Sequence, residues 1–307
     1  MTPHQMNIPV FMSCDDRYAP FIATTCCSIV RNTTSQVDFY ILDFGISPKN
    51  TELLNSYVTD ELKASINFIK INSDNKNLIE VRYLTRAMYG RFHIPEYFHG
   101  HGKVIYTDVD VIFMDDICKL YNEDLGNHIL GACWEDFNEQ NSINQNRNLS
   151  LGINRCHKYF SSGLLIIDVD KWREQNILHS LLTLHDSLKS ILECPDQDIL
   201  NAYFRDDYKQ LDSKYVVCNQ RLNSFFKNGK FIGCSIRHFN GPIKPWTYKE
   251  EIAESVCVGS NIFWGYAKET PFYAILDRNA KTSIKKEGKQ KNIFSRLARK
   301  IKSILRH

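Results

Sequence analysis

The stretch Val104-Ile105-Tyr106-Thr107-Asp108-Val109-Asp110-Val111-Ile112-Phe113 contains two strand-like apolar runs separated by a pair of aspartates. Two carboxylates one residue apart at the end of a buried strand cost free energy unless something binds them. A hard divalent cation that also contacts phosphate oxygens would neutralise both. The alternative is a solvated surface turn, which apolar strands on both sides disfavour. The stretch therefore predicts a metal-binding edge of a sheet at Asp108 and Asp110.

Upstream of this stretch, apolar strands alternate with amphipathic helices. Strands are predicted at Ile8–Met12, Phe39–Leu42 and Ile66–Ile71, with helices between them at Tyr18–Val30 and Pro48–Leu62. A β-α-β-α-β succession implies a largely parallel sheet with helices on both faces. The predicted class is therefore α/β, with a Rossmann-like, mixed but mainly parallel sheet flanked by helices.

Downstream of the aspartates the predicted elements are less regular. We expect a helix at Leu84–Phe92, strands at Ile129–Trp134 and Gly163–Ile167, and helices at Lys171–Leu192 and Asp196–Phe204. The stretch Asn138–His157 is rich in Asn and Gln, has no sustained apolar period and is predicted to be a long loop. A strand ending at His238 leads into a rigid loop at Asn240–Trp246, and the pattern after Tyr248 is helical without strands.

Polar residues near these elements suggest a ligand site. Asp15 and Asp16 follow the first predicted strand, where doubly wound sheets bind ligands, although such a pair also caps helices well. No Gly-x-Gly-x-x-Gly follows them, which argues against a nicotinamide cofactor. His238 with two carboxylates suits manganese better than magnesium, and Lys244 could contact a phosphate. Asp196 begins a predicted helix, where an acidic first turn is also favoured by the helix dipole.

One known family shares these motifs in the same order. From about Asn7 to Trp246 the chain resembles glycosyltransferase family 8, and within it the bacterial lipooligosaccharide α-galactosyltransferases and lipopolysaccharide core glycosyltransferases. The matching segments are Asp15-Asp16, Leu42–Ser47, Lys103–Asp110, Phe160–Trp172, Asp196–Asp198 and His238–Trp246. The resemblance implies a GT-A fold, a UDP-hexose donor carrying galactose or glucose, and Mn²⁺ with Mg²⁺ as an alternative. It also implies a glycan or glycolipid acceptor and transfer with retention of anomeric configuration.

The resemblance further implies roles for individual residues. The metal ligands would be Asp108, Asp110 and His238. The catalytic set would be Arg91, Asp196 and Gln197, with Gln197 close to the anomeric carbon. The donor-binding set would be Asp15, Asp16, Tyr18, Lys103, Asp108, Ser161, Ser162, Gly163, Gly241 and Lys244. Two positions depart from the family pattern, because Ser161 replaces a common Asn and Arg17 replaces an Asn or similar short residue. The first departure leaves the identity of the donor sugar open, and the second alters contacts to the base.

The charge distribution separates a basic tail from the rest of the chain. The net charge is +3, yet the segment from Lys281 to Arg306 has ten Lys or Arg and one acid, Glu287. The remaining chain is therefore acidic, which disfavours nucleic acid as a partner. Apolar residues recur at helical spacing from Ile293 to Leu305, which predicts a basic amphipathic helix on an anionic membrane surface. A docked helix or a solvated tail is the alternative.

We therefore expect three segments: a GT-A catalytic domain at 1–248, a helical C-terminal extension at 249–280 and a membrane-association tail at 281–307. The 10 cysteines include no Cys-x-x-Cys pair, which favours buried thiols in a reducing compartment. The start of the chain does not resemble a secretion signal, and no apolar run approaches the roughly 20 residues of a membrane span. The expected location is cytoplasmic, peripheral on the inner face of the plasma membrane.

Other functions remain open at this point. A metal-dependent nucleotidyl- or phosphoryltransferase also uses paired aspartates on a nucleotide-binding sheet. A nucleotide-sugar binder that has lost activity would keep the same motifs. For a retaining enzyme, a front-face route and a double displacement are both open, although the amide of Gln197 is a weak nucleophile.

Overall fold

The structure, a computed structural model, describes residues 7–71, 78–80, 85–135 and 142–282, with only the backbone of 142–144 described. Its strands are β1 (Ile8–Cys14), β2 (Val37–Asp43), β3 (Ser65–Lys70), β4 (Lys103–Thr107), β5 (Val111–Phe113), β6 (Leu130–Trp134), β7 (Phe160–Asp168), β8 (Lys209–Gln210), β9 (Phe226–Lys227), β10 (Lys230–Phe231) and β11 (Ile236–His238). Seven of these strands form the main sheet, in the order β3-β2-β1-β4-β7-β6-β8.

The α-helices lie between and after these strands. They are α1 (Ala19–Arg31), α2 (Pro48–Ser56), α3 (Gly90–Tyr97), α4 (Ile117–Tyr121), α5 (Ser142–Ser150), α6 (Val169–Glu174), α7 (Ile177–Leu188), α8 (Pro195–Phe204), α9 (Leu222–Phe225), α10 (Glu250–Ala253), α11 (Ser260–Ala267) and α12 (Tyr273–Asn279). Residues of β1 alternate between two hydrophobic clusters, because Val10 and Met12 belong to one and Phe11 to the other. The sheet is therefore covered on both faces, as parallel sheets are.

The direction of the strands decides which residues share an edge. β1 is parallel to β2 and to β4, and β7 is antiparallel to both β4 and β6. The carboxyl ends of β1, β4 and β6 and the first residues of β7 therefore lie along one edge of the sheet. The predicted class, a mixed and mainly parallel α/β sheet, is confirmed.

A short two-stranded ribbon lies beside this edge. β11 pairs antiparallel with β5, so that His238 is opposite Val111. The amide of Phe239 then donates to the carbonyl of Asp110 at 2.9 Å. This pairing brings His238 next to the Asp108–Asp110 segment, although about 130 residues separate them in sequence.

The segment after Tyr248 is helical, as predicted, and packs on helix α1. Trp246 stacks on Phe21 of α1 with ring centroids 3.7 Å apart, and Phe263 of α11 contacts both rings. These aromatic residues, which come from both sides of residue 248, pack around one core. The domain boundary expected at residue 248 stays a prediction. Of the predicted tail, residues 283–307 lie outside the described part of the chain. Within the described residues, no helix has the length and apolar character to cross a membrane.

Several predicted elements differ in detail. The Asn-rich stretch is not a continuous loop, because α5 forms within it. The helix expected at Lys171–Leu192 is two helices, α6 and α7, separated at Asn176 with φ of 48°. The helix expected from Pro48 to Leu62 ends at Ser56 and continues as a π-helical turn, Tyr57–Glu61. Capping and turn residues set these boundaries, and the periodicity of apolar residues does not predict them accurately.

Candidate active site

Three potential metal ligands meet where β4 ends. Asp108, Asp110 and His238 each offer a ligand atom, and these atoms lie within 4.8 Å of one another. His238 Nε2 is 3.3 Å from an Asp110 oxygen and 3.9 Å from an Asp108 oxygen. Two carboxylates and an imidazole form a donor set that suits Mn²⁺ and accommodates Mg²⁺.

A glycine makes room for this cluster. The amide of Asp108 donates to the carbonyl of Gly163 on the neighbouring strand β7 at 2.9 Å. A Cβ atom at Gly163 would lie 2.4 Å from Cε1 of His238 and 2.9 Å from an Asp108 carboxylate oxygen. The absence of a side chain at Gly163 therefore allows the two ligands to approach each other. This cradle, together with the donor set, fits a divalent cation.

The charges around Asp110 are largely compensated within the protein. Lys244 Nζ lies 2.5 Å from Asp110 and also donates to the carbonyl of Phe239 at 2.8 Å. Burial alone would raise the pKa of Asp110, but the charges of Lys244 and His238 outweigh it and hold this pKa well below its usual range. Burial alone would lower the pKa of His238, but the Asp110 carboxylate raises it to about 10.

Arg91, at the start of α3, connects the metal cluster to the residues of α8. Its guanidinium lies 2.8 Å from Asp108 and 3.1 Å from Asp196, and it donates to the carbonyls of Met88 and Ser162. The side chain of Arg91 is 4% exposed. A buried arginine shared by two carboxylates fixes the position of both, because the planar fork donates in set directions.

Asp196 and Gln197 lie in the first turn of α8 and face β7. Asp196 accepts from the hydroxyl of Ser162 at 2.8 Å, and burial raises its pKa although Arg91 opposes this. The side-chain oxygen of Gln197 accepts from the Ser162 amide at 2.9 Å. The side-chain nitrogen of Gln197 donates to Glu135 at 2.9 Å. The predicted catalytic residues Arg91, Asp196 and Gln197 therefore belong to one hydrogen-bond network.

A cavity of about 340 Å³ joins these groups to the end of β1. Its lining includes Asp15, Tyr18, Gly241 and Lys244 together with the metal cluster, Arg91, Ser162, Asp196 and Gln197. Asp15 accepts from the backbone amide of Arg17 at 3.0 Å and forms an ion pair with its side chain. The cavity has the size and mixed polarity of a small-molecule site.

Three residues assigned to donor binding have other roles in the structure. Lys103 is the first residue of β4, about 16 Å along the strand from Asp108, and its ammonium donates to the carbonyl of Glu123. The carboxylate of Asp16 accepts from the Ser47 amide and the Asn50 side chain, and so holds the start of α2. Ser161 is buried in β7, where its hydroxyl accepts from the Gly163 amide. None of these three side chains lines the cavity described above, and their role in donor binding stays a prediction.

Two charged residues of the cavity, Glu135 and Arg147, were not anticipated from the sequence. Glu135 directly follows β6, so an acid after a predicted strand was an available signal. Arg147 projects from α5 and lies 2.5 Å from Asp198, with its guanidinium over the ring of Tyr159. The Asn-rich stretch around Arg147 carries no periodic signal, so nothing in the sequence indicated its position.

Comparison with known proteins identifies the family. A model of glycosyl transferase family 8 matches residues 9–250. The chain belongs to this family. A putative glycosyltransferase of Haemophilus influenzae is 28% identical over 249 residues, which cover 80% of this chain and 74% of the relative. The lipopolysaccharide glucosyltransferase WaaO of Escherichia coli is 31% identical over 199 residues, which cover 61% of this chain and 57% of WaaO.

Solved structures of other glycosyltransferases share the fold of this family 8 chain. A crystal structure of the galactosyltransferase LgtC with donor and acceptor sugar analogues superposes with a TM-score of 0.76 at 23% identity, covering 86% of this chain and 96% of LgtC. These neighbours have GT-A folds, so the predicted GT-A architecture is confirmed. As a family 8 member the chain is a glycosyltransferase, with a site for a nucleotide-sugar donor and an Asp-x-Asp/His site for a divalent metal.

Proposed function

We propose that this family 8 protein transfers a hexose, galactose or glucose, from a UDP-sugar to a saccharide acceptor with retention of anomeric configuration. The observation that carries this proposal is the cluster of Asp108, Asp110 and His238 beside Lys244 in one cavity. Two carboxylates, an imidazole and a lysine together suit a diphosphate bound with a cation. The cavity continues from this cluster to Asp15 and Tyr18, where the uracil and ribose would bind.

Asp108, Asp110 and His238 would hold the metal, with Mn²⁺ favoured over Mg²⁺ because imidazole is a borderline-soft ligand. A divalent ion held by these residues would supply stabilisation of the negative charge on the departing diphosphate. Lys244, with the loop that begins at Gly241, supplies a further positive charge on the same side of the cavity. Arg91 keeps Asp108 and Asp196 in place through its two ion pairs.

The residues of α8 favour the front-face route to retention. Gln197 carries an amide, which is a poor nucleophile, and its oxygen and nitrogen already hydrogen bond to Ser162 and Glu135. Asp196 is engaged by Arg91 and Ser162. In this proposal the two side chains position and shield the developing sugar cation. In the front-face route the leaving phosphate accepts the proton of the acceptor hydroxyl.

The acceptor is proposed to be lipopolysaccharide, lipooligosaccharide or another surface glycan. The support is the resemblance of the motifs and the name of the relative WaaO, a lipopolysaccharide glucosyltransferase. A lipid-linked acceptor would place the enzyme at the inner face of the plasma membrane. We propose the basic amphipathic segment 281–307 as its attachment, on the sequence pattern alone.

The membrane proposal is tested by a truncation. A variant lacking residues 289–307 should lose its binding to vesicles containing anionic lipid, since each cation near such a surface contributes about 1 kcal/mol. Its hydrolysis of donor in solution should match that of the full chain. Equal vesicle binding by the truncated and full chains would show that another surface mediates attachment.

The central test is UDP release from a panel of UDP-sugars, with Mn²⁺ and with chelator, for wild type and Asp110→Asn. We expect release from one UDP-hexose with Mn²⁺, and loss of that release in the variant because one carboxylate ligand becomes a neutral amide. NMR of the product should show the anomeric configuration of the donor. Release of a sugar 1-phosphate instead of UDP would favour a nucleotidyltransferase, because transfer of the nucleotidyl group breaks the bond between the two phosphates. UDP binding without any turnover, with and without acceptor glycans, would favour a degenerate binder.

A further inference from the structure

Glu135 is a buried acid of the cavity that the proposed chemistry leaves without a role. It directly follows β6, and its amide donates to the carbonyl of Tyr159 at 3.0 Å, which fixes the backbone at the strand end. The residue is only 7% exposed, and it lines the same cavity as the metal cluster. A buried carboxylate is costly unless its hydrogen bonds compensate for lost water.

The hydrogen bonds of Gln197 permit only one orientation of its amide. The backbone N–H of Ser162 can only donate, so it requires the Gln197 oxygen, and the distance is 2.9 Å. An ionised Glu135 can only accept, so it requires the Gln197 nitrogen, also at 2.9 Å. An amide turned by 180° would place nitrogen against N–H and oxygen against carboxylate, and would lose both bonds.

Ser162 alone would hold Gln197 less firmly. Its hydroxyl lies 3.4 Å from the Gln197 oxygen but donates to Asp196 at 2.8 Å, so its stronger bond goes elsewhere. The remaining contact to the Gln197 side chain from β7 is therefore one backbone N–H. Glu135 supplies the opposing contact from β6, and the amide is held between two strands. A charged acceptor also gives a stronger hydrogen bond than a neutral one.

We propose that Glu135 is a positioning residue that fixes the side-chain amide of Gln197 in the orientation required for glycosyl transfer. This inference rests on the proposed function, since it assumes that Gln197 faces the reacting sugar. Glu135 acts through Gln197: with the amide fixed, the Gln197 oxygen stays on the Ser162 side and cannot exchange places with its nitrogen. The network then continues through Ser162, Asp196 and Arg91 to Asp108.

The test is a double-mutant cycle on donor turnover with Glu135→Ala, Gln197→Ala and the double variant. We expect Glu135→Ala to lower kcat about 10- to 100-fold with little change in the KM for the UDP-sugar, because the bond lost is to a charged group. The double variant should be no slower than Gln197→Ala, because without the amide Glu135 has nothing to orient. Glu135→Gln should recover much of the loss, since its carbonyl can accept the same hydrogen bond.

A matched control separates positioning from general damage. Glu123 also accepts one side-chain hydrogen bond, from the Tyr215 hydroxyl at 2.9 Å, and lies apart from the cavity. Glu123→Ala should leave kcat unchanged, and thermal melts report whether each variant is folded. If the losses of Glu135→Ala and Gln197→Ala multiply in the double variant, the inference is overturned and Glu135 acts independently, for example on the acceptor. If the wild type turns over no UDP-sugar, the proposed function itself fails.

Discussion

Replacing Gly163 by alanine should weaken metal binding while leaving the chain folded. The new methyl group would meet Cε1 of His238 at 2.4 Å and an Asp108 oxygen at 2.9 Å. Neither neighbour can yield easily, because Asp108 is held by Arg91 and by the Tyr106 hydroxyl, each at 2.8 Å, and His238 is buried. Overpacking of this kind costs about 1–3 kcal/mol. If that cost falls on the ligand geometry, the Kd for Mn²⁺ rises about 5- to 150-fold, since about 1.4 kcal/mol is tenfold.

The assay is titration calorimetry of Mn²⁺ in the presence of UDP, with Gly131→Ala as the matched control. A Cβ at Gly131 would meet Cδ2 of Leu125 at 2.7 Å, which is comparable crowding against a flexible side-chain end remote from the cluster. The control should bind Mn²⁺ as the wild type does. A folded Gly163→Ala protein with wild-type affinity would refute the reasoning, because the cluster would then not depend on the space at Gly163.

Three further outcomes are expected from the structure. Phe263→Ala should lower the free energy of unfolding by about 3–5 kcal/mol, since this buried ring joins α11 to α1. Denaturant should unfold the variant in one cooperative transition, and two separate transitions would contradict a shared core. Arg91→Met should cost about 3–5 kcal/mol at neutral pH because it leaves the buried carboxylate of Asp196 without its counter-charge and removes the partner of Asp108. Burial already raises the pKa of Asp196, and loss of the Arg91 charge raises this pKa further. Thermal melts should therefore show the stability loss of Arg91→Met becoming smaller as falling pH protonates Asp196. A stability loss that stays constant with pH would count against this explanation. In native protein a thiol reagent such as DTNB should label Cys156 rapidly, and Cys156→Ser should remove that fast phase. Burial raises the pKa of other thiols, that of Cys234 to about 12, so rapid labelling of several would be inconsistent with this fold.

The residues of the metal cluster were predictable from sequence because the two aspartates and the histidine each occupy a recognisable position at the end of an apolar strand. Asp108 and Asp110 stand between apolar strands, and His238 ends a strand before a Gly/Pro-rich loop. The structure brings the three together through the pairing of β11 with β5. That pairing spans more than a hundred residues, so the sequence alone supplied the resemblance but not the contact. The burial of Arg91 between two carboxylates likewise depends on tertiary packing.

The direction of the strands decides which residues of a matching segment reach the cavity. The matching segment Lys103–Asp110 includes Lys103, which was assigned to donor binding. However, β4 runs toward the edge that holds the cavity, so Lys103, its first residue, lies at the far end. β7 runs the opposite way, so its first residues reach that edge, and the hydroxyl of Ser162 faces Asp196 there.

β6 runs parallel to β4, and Glu135, the residue after its end, therefore joins the site although no motif includes it. A chain order of strands does not reveal that β7 is inserted antiparallel between β4 and β6. Once that orientation is known, the inclusion of Glu135 follows from it, whereas the distance of Lys103 from the cavity follows from the direction of β4 itself.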